Sequence, residues 1–360
     1  MKIATLQFSP RLGDVEGNIR RADAILKRAE QVHGDEMREL DLMVLPEMAF
    51  TGYNFPSLRS IKPFLEPSTG VGPSAAWARA AARRLGCVVC VGYPEVQLLE
   101  RTRSEKEVVE AKELETQADE EKRFNSLLVV NGAGETVFNY QKRFLYYTDE
   151  SWALEGENGK GDISLPVATG SKINEPCDYE NTTQNSCIPT VVGICMDINP
   201  YKFIAPYTAY EFATHVRDSG AKLVIVSMAW LTWLTPEELA SEPRAPDTDT
   251  FQYWIKRFWP LITRGNWDGG DIIIVFANRT GEEEGMEGKD TARYAGTSCV
   301  VGIRKAEKDG DVGVDDEVEQ GYFDAEIVVW ERLGRAEEGV CFVDTDLPPK
   351  MVFKVRRSGE

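Results

Sequence analysis

Histidine is nearly absent from this chain: His33 and His215 are the only two. Hydrolases of the Ser-His-Asp or Cys-His type need a histidine base oriented by a third group. Proton transfer in an enzyme of this sequence therefore falls to another residue type. The same scarcity argues against zinc, whose structural sites draw on cysteine and histidine together. One C-x-x-C exists, Cys87-Val88-Val89-Cys90, but it lies in an apolar stretch that reads as a buried strand, and there is no second. No metal site is expected.

Long apolar runs are missing as well, so no membrane-spanning helix is expected. The opening segment MKIATLQFSP reads as a short strand and not as an export signal, and this points to the cytoplasm. Positive charge is in deficit: Lys+Arg 41 against Asp+Glu 59, a formal net charge of −18. Nucleic-acid binding needs clustered positive charge, so that partner class is excluded. The negative charge favours solubility and weakly attracts cationic ligands, an effect that salt screens. The seven cysteines are odd in number, which without an export signal implies reduced thiols. No internal repeat and no linker between two cores is visible, so one domain over 1–360 is expected.

What is present is a core-forming chain with 42% hydrophobic and 10% aromatic residues. Lys2 to Ser9 reads as a strand. Asn18 reads as the N-cap of a helix through about Val32, with Ile19, Ala22, Ile25, Leu26 and Ala29 on one face. Leu42 to Leu45 is a short buried strand ended by Pro46. Ser74 to Leu85 is a helix stopped by Gly86, and Cys87 to Val91 is again a strand. This alternation implies an α/β layered fold. Phe124 to Val130 and Glu135 to Tyr140 flank Asn131-Gly132-Ala133-Gly134 as a hairpin. Pro189 to Ile194, Lys222 to Met228 and Asp271 to Ala277 are further strands. Phe251 to Trp259 is aromatic-rich and helical. Insertions or loops are expected at 99–123, 156–186, 231–270 and 305–319; the first is a solvated helix or a mobile loop.

Three segments place a reactive group just after an apolar strand. In Leu45-Pro46-Glu47-Met48-Ala49-Phe50-Thr51-Gly52-Tyr53, a carboxylate flanked by apolar residues should have a raised pKa, as suits a general base. In Tyr140-Gln141-Lys142-Arg143-Phe144-Leu145-Tyr146-Tyr147, a lysine after a hairpin strand can steady a thiolate and a developing oxyanion. In Gly193-Ile194-Cys195-Met196-Asp197, a cysteine at a strand-to-turn junction can stand proud of the sheet. A neighbouring cation would lower the pKa of that thiol.

Together these segments resemble the Glu-Lys-Cys triad of the nitrilase superfamily. The P-E glutamate is Glu47, the Y-x-K lysine is Lys142 and the G-x-x-C-x-D cysteine is Cys195. The resemblance implies a four-layer αββα sandwich and a cysteine-dependent amide hydrolase with no metal or organic cofactor. A second acid usually follows the lysine by about two turns. Counting seven positions gives Asp149, and Glu150 is next; either fits. Longer stretches are similar to the fungal protein N-terminal amidases, which deamidate N-terminal Asn and Gln and feed a degradation pathway that reads N-terminal residues. The fullest is Gly193-Ile194-Cys195-Met196-Asp197-Ile198-Asn199-Pro200-Tyr201-Lys202-Phe203-Ile204-Ala205-Pro206.

That resemblance implies proteins or peptides with free N-terminal Asn or Gln as substrates. The backbone N–H of Met196 would join Lys142 at the oxyanion. A carboxylate would read the α-ammonium group, with Asp149, Glu150 and Asp197 as candidates; Asp197 is equally a turn cap. Tyr53 and Trp230 would wall the pocket. A free small amide or carbamoyl compound is the competing substrate class. The sequence shows no subunit interface.

Overall fold

The computed structural model describes residues 1–98, 121–166, 187–263, 270–306 and 323–356. Strands β1 (Lys2–Gln7), β2 (Leu42–Val44), β3 (Glu66–Pro67), β4 (Val88–Leu98), β5 (Glu121–Val130) and β6 (Thr136–Gln141) belong to a first sheet. β15 (Gly339–Asp344) joins them, in the order β15-β1-β2-β4-β5-β6 with β3 beside β4. A second sheet runs from β7 (Asp162–Pro166) through β8 (Cys187–Ile194), β9 (Leu223–Met228), β10 (Ile272–Asn278), β13 (Cys299–Lys305) and β14 (Phe323–Arg332) to β16 (Met351–Arg356). Strands β11 (Thr280–Glu283) and β12 (Ala292–Ala295) form a separate ribbon.

The two-residue period of the strands sorts side chains between layers. On the first sheet Ile3, Val44, Cys90 and Val129 share a core with Val191, Ile225 and Val275 of the second. Their alternates Ala4, Met43, Val89 and Leu128 pack instead against α1 (Val15–His33) and α3 (Pro73–Leu85). Beyond the second sheet lie α4 (Glu211–Ser219), α6 (Thr248–Arg257) and α7 (Trp259–Ile262). Trp254 of α6 stacks on Phe276 of β10 with ring centroids 5.1 Å apart. The layers are thus helix, sheet, sheet, helix, an αββα sandwich. Short helices α2 (Leu58–Ile61) and α5 (Pro236–Ser241) lie in the connections.

Two local readings need correction. Helix α1 is capped by Asp14, whose carboxylate accepts from the Gly17 N–H at 3.0 Å. Asn18 lies inside the helix and turns to the core, where its amide donates to the carbonyls of Arg11 (2.7 Å) and Phe50 (2.8 Å). Aspartate caps as well as asparagine, and Asn18 serves loop groups that would otherwise be buried without partners. The expectation of thiols throughout also fails at Cys187, which is disulfide-bonded. Cys87, Cys90, Cys195, Cys299 and Cys341 are free.

Of the expected insertions, 99–120 lies outside the described residues, while 121–123 belongs to β5. Residues 167–186, 264–269 and 307–322 also lie outside. The start of the second expected insertion contains β7, and the third contains α5, α6 and α7. Among the described residues no helix is long and apolar enough to cross a membrane.

Candidate active site

Leu45 and Pro46 carry the chain off β2 and into a turn held from both sheets. The Glu47 N–H donates to the Met228 carbonyl at the end of β9 (3.3 Å), and the Ala49 N–H donates to Gly92 of β4 (3.0 Å). Gly92 is required for that approach: a Cβ there would sit 2.7 Å from the Glu47 Cα. Lys142 follows β6 directly, and its N–H donates to the Asn125 carbonyl (2.8 Å). Cys195 follows β8 at the start of a single 3₁₀ turn, Cys195–Ile198, with φ +42°. A residue with a Cβ is uncommon in that left-handed region. Such strain recurs where a nucleophile is held off a strand end.

The three side chains meet in one buried cluster. The Lys142 ammonium donates to Glu47 Oε1 and to Asp149 Oδ2, both at 2.6 Å, and all three residues are fully buried. Asn125 joins the carboxylates from the other side: its Nδ2 donates to Glu47 Oε1 (2.6 Å) and to Asp149 Oδ1 (3.0 Å). The second Glu47 oxygen, Oε2, accepts from the Ala229 N–H at 2.7 Å. That same N–H also favours the Cys195 thiolate. Ala229 therefore stands between the carboxylate and the sulfur.

Charge in this pocket is out of balance: two carboxylates face one ammonium. Burial raises the Glu47 pKa, Lys142 pulls it back and Asp149 adds to the rise. Burial alone would lower the Lys142 pKa, but Asp149 and Glu47 outweigh it and the amine stays an ammonium. The cysteine departs from expectation. Its pKa is raised well above the usual thiol value, first by burial and next by the charge of Glu47; Lys142 opposes this without winning. A raised pKa favours the thiol form, from which a nucleophile is made only with a base. Glu47 is the carboxylate that shares the Ala229 N–H with it.

The remaining candidates separate. Asp149 lies in the cluster, whereas Glu150 is exposed to solvent. Besides Lys142 and Asn125, Asp149 accepts from the Tyr53 hydroxyl (3.2 Å) and the Tyr146 N–H (3.0 Å). Asp197 is occupied in holding the nucleophile turn. It accepts from the N–H groups of Ile194 (2.8 Å), Arg143 (3.1 Å) and Phe144 (2.8 Å), and from the Tyr140 hydroxyl (2.9 Å). Those donors are the ones a cap of the turn carrying Cys195 requires. Tyr53 is buried, with the Lys142 ammonium 5.5 Å from its ring centroid. Trp230 is half-buried beside Tyr253, centroids 5.6 Å apart, and follows the Ala229 that touches Glu47. The Met196 side chain is buried, and its sulfur accepts from Asn199 Nδ2 at 3.2 Å.

Sequence reasoning missed Asn125 and Glu283. Glu283 accepts from the N–H groups of Tyr53 (3.0 Å) and Asn54 (2.9 Å) and from the Tyr294 hydroxyl (2.6 Å), and it pairs with Arg279. It fixes the loop that presents Tyr53 to Asp149. Asn125 had one signal, a polar residue inside the strand expected from Phe124 to Val130. Glu283 lies 230 residues from Tyr53 in sequence and had none. Among the described residues no group of three or more His, Cys, Asp or Glu side chains is placed to hold a metal ion.

The sequence matches the family described as carbon-nitrogen hydrolase over residues 2–168. That stretch contains Glu47 and Lys142, and Cys195 lies beyond it. Together with the relatives below, the match shows that the chain belongs to the carbon-nitrogen hydrolase family, as a cysteine-dependent amidohydrolase of the nitrilase fold. The protein N-terminal amidase of Schizosaccharomyces pombe is 30% identical over 313 residues, which cover 84% of this chain and 91% of that one. The protein N-terminal amidase of Saccharomyces cerevisiae is 32% identical over 231 residues, 64% of this chain but 45% of that longer protein. In three dimensions the chain is similar to a crystal structure of an N-terminal amidase with a Gln-Gly peptide: TM-score 0.70, 22% identity, with 95% and 96% of the two chains covered.

Proposed function

We propose that this protein deamidates N-terminal Asn and Gln of proteins and peptides, leaving Asp or Glu and releasing ammonia. The observation that carries the chemistry is the buried cluster of Glu47, Lys142 and Asp149, joined to Cys195 through the Ala229 N–H. The similarity to the fungal N-terminal amidases carries the substrate class. The side-chain carboxamide enters beside Cys195. Glu47 Oε2 takes the thiol proton as the sulfur bonds to the carbonyl carbon. Lys142 and the Met196 backbone N–H stabilise the oxyanion. Glu47 returns the proton to the departing nitrogen, ammonia leaves and a thioester remains. Water, deprotonated by Glu47, adds to the thioester; the C–S bond breaks and the thiol is restored. The raised pKa of Glu47 suits both halves of this exchange.

The same reading makes the enzyme cytoplasmic and places its product upstream of degradation that reads N-terminal residues. It also treats the chain as one carbon–nitrogen hydrolase domain, supported by the return of β15 to pair with β1. The test is mass spectrometry of synthetic peptides after incubation with the purified protein. Peptides with free N-terminal Asn or Gln should gain the mass of an amide-to-acid change. Peptides with acetylated N-termini, or with Asn at the second position, should not, and Cys195→Ser should abolish turnover. If no N-terminal Asn or Gln peptide reacts, the substrate is another amide.

A further inference from the structure

The nucleophile rides on very little structure of its own. Cys195–Ile198 is one turn of 3₁₀ helix, and it begins on a residue in the left-handed region. Hydrogen bonds in such a turn are few and poorly aligned, and a strained residue persists only where its surroundings hold it. Asp197 holds the entry to the turn through the Ile194 N–H. The exit is held from α6. Inside the turn the Met196 carbonyl accepts from the Asn199 N–H (2.9 Å). The Ile198 carbonyl is an end group of the kind that lacks an internal partner. Arg257 Nε donates to it at 2.7 Å. Four residues earlier on α6, the Tyr253 hydroxyl donates to Asn199 Oδ1 (2.7 Å), and the Asn199 amide reaches the Met196 sulfur. Residues four apart share a helix face, so one face of α6 grips the turn twice.

Arg257 is fully buried, and among the described residues no carboxylate pairs with it. Its Nη1 donates to the Tyr207 carbonyl at 2.5 Å. The guanidinium lies over the rings of Tyr207 and Tyr210, 4.7 and 4.8 Å from their centroids, and Nη2 has no partner. Desolvating a cation without a counter-ion is costly, and an apolar side chain of similar size would fill the space at less cost. An apolar side chain could not hold the Ile198 carbonyl. A charge-assisted bond does so about twice as strongly as a neutral one, and a cation suits the negative end of a helical turn.

We infer that Arg257 is a positioning residue for the nucleophile turn: it fixes the Ile198 end, and so keeps Cys195 at its base and the Met196 N–H where the oxyanion forms. The inference rests on the reading of that N–H as an oxyanion donor. Arg257 acts through the backbone of 196–198. The oxyanion exists only in the reacting complex, so the effect falls on kcat and leaves KM alone.

The experiment measures kcat and KM for ammonia release from a peptide with a free N-terminal Asn, per folded molecule and well below the urea transition. Misplacing a reacting group by about 1 Å from a distance costs about a hundredfold. In Arg257→Met kcat should fall by about that factor, with KM within about twofold of the wild type. Arg257→Lys keeps a charged donor and should recover part of the loss. Tyr253→Phe removes one hydrogen bond of the same brace and keeps the ring beside Trp230. Its kcat should fall about threefold to tenfold, and it carries the test if Arg257→Met does not fold. Lys256→Met, which removes a charge from the exposed side of α6, should leave kcat unchanged. A wild-type kcat per folded molecule in Arg257→Met, or in Tyr253→Phe where the former does not fold, overturns the inference. So does a raised KM at constant kcat, which would place Arg257 in ground-state binding. Alkylation of Cys195 by iodoacetamide needs no substrate and keeps the two readings apart. If no peptide with N-terminal Asn or Gln reacts, the substrate reading has failed. Slower alkylation in Arg257→Met would still uphold the brace, and an unchanged rate would overturn it.

Discussion

Two buried cations sit near the candidate active site, and they are paired in opposite ways. Arg279 faces one carboxylate, Glu283, whose two oxygens also accept from two backbone N–H groups and a tyrosine hydroxyl. Its guanidinium rests over the Tyr294 ring, 4.5 Å from the centroid. Every Glu283 oxygen is spent on position, so the pair can fix a loop but has no oxygen left to move a proton. Lys142 faces two carboxylates, one negative charge more than it neutralises. On Glu47, Oε1 takes the two side-chain donors, while Oε2 takes a single backbone N–H, that of Ala229, which also favours the Cys195 thiolate. A second carboxylate and an oxygen with a single donor separate the candidate catalytic cluster from the Arg279 pair, although both cations are fully buried. Burial of an ion is thus not by itself the mark of a catalytic site.

The comparison breaks most sharply at Glu47. In Glu47→Gln the amide oxygen can keep the Lys142 and Asn125 contacts made at Oε1, while the Ala229 contact at Oε2 is lost and no proton can be taken from the thiol. General-base removal of this kind costs about 10²–10⁴-fold in rate. We expect kcat for ammonia release to fall by at least that much, with the thermal midpoint close to wild type. Near-normal turnover by a folded Glu47→Gln protein would mean that the proton goes elsewhere.

Glu283→Ala attacks the other cluster and should show in stability instead. It strips Arg279 of its carboxylate inside the protein and frees the N–H groups of Tyr53 and Asn54. Removing one partner of a buried pair costs about 3–5 kcal/mol, to be read as a large drop in the urea midpoint. Activity per folded molecule, measured well below the transition, should fall far less than in Glu47→Gln. If stability hardly moved while kcat collapsed, Glu283 would belong to the chemistry and the division between the clusters would be wrong.

How much of this was readable in the chain depends on sequence distance. The strand ends before Glu47, Lys142 and Cys195 carry local signals, because an apolar run stopped by Pro46 or by a Gly-x-Cys junction is visible in a few residues. The helix stop at Gly86 and the hairpin around Gly132 are local in the same way. Choosing between Asp149 and Glu150 is not local, since it depends on which face of a short 3₁₀ turn meets Lys142. The raised thiol pKa was not readable either: a neighbouring cation argues one way, and only three-dimensional burial beside Glu47 decides the other. Asp197 shows the limit most plainly. The sequence leaves it open between turn cap and substrate contact: one donor, the Ile194 N–H, is local, whereas Tyr140, Arg143 and Phe144 lie more than fifty positions away.

The finest test concerns the surplus charge itself. Asp149 raises the Glu47 pKa, and Lys142 lowers it. Glu47 must be ionised to accept the thiol proton, so activity should be present above its raised pKa and lost as pH falls through it. Asp149→Asn removes the raising charge, keeps an oxygen for Lys142 and leaves the ammonium paired with Glu47. The acid limb of the kcat/KM profile should therefore move to lower pH, while the rate on the plateau changes by less than in Glu47→Gln. The substituted amide would still offer Tyr53 an acceptor, which limits any structural response. A limb that stays in place, or moves upward, would show that the second carboxylate does not set the base. The excess negative charge would then need a different account from the one that separates this cluster from Arg279 and Glu283.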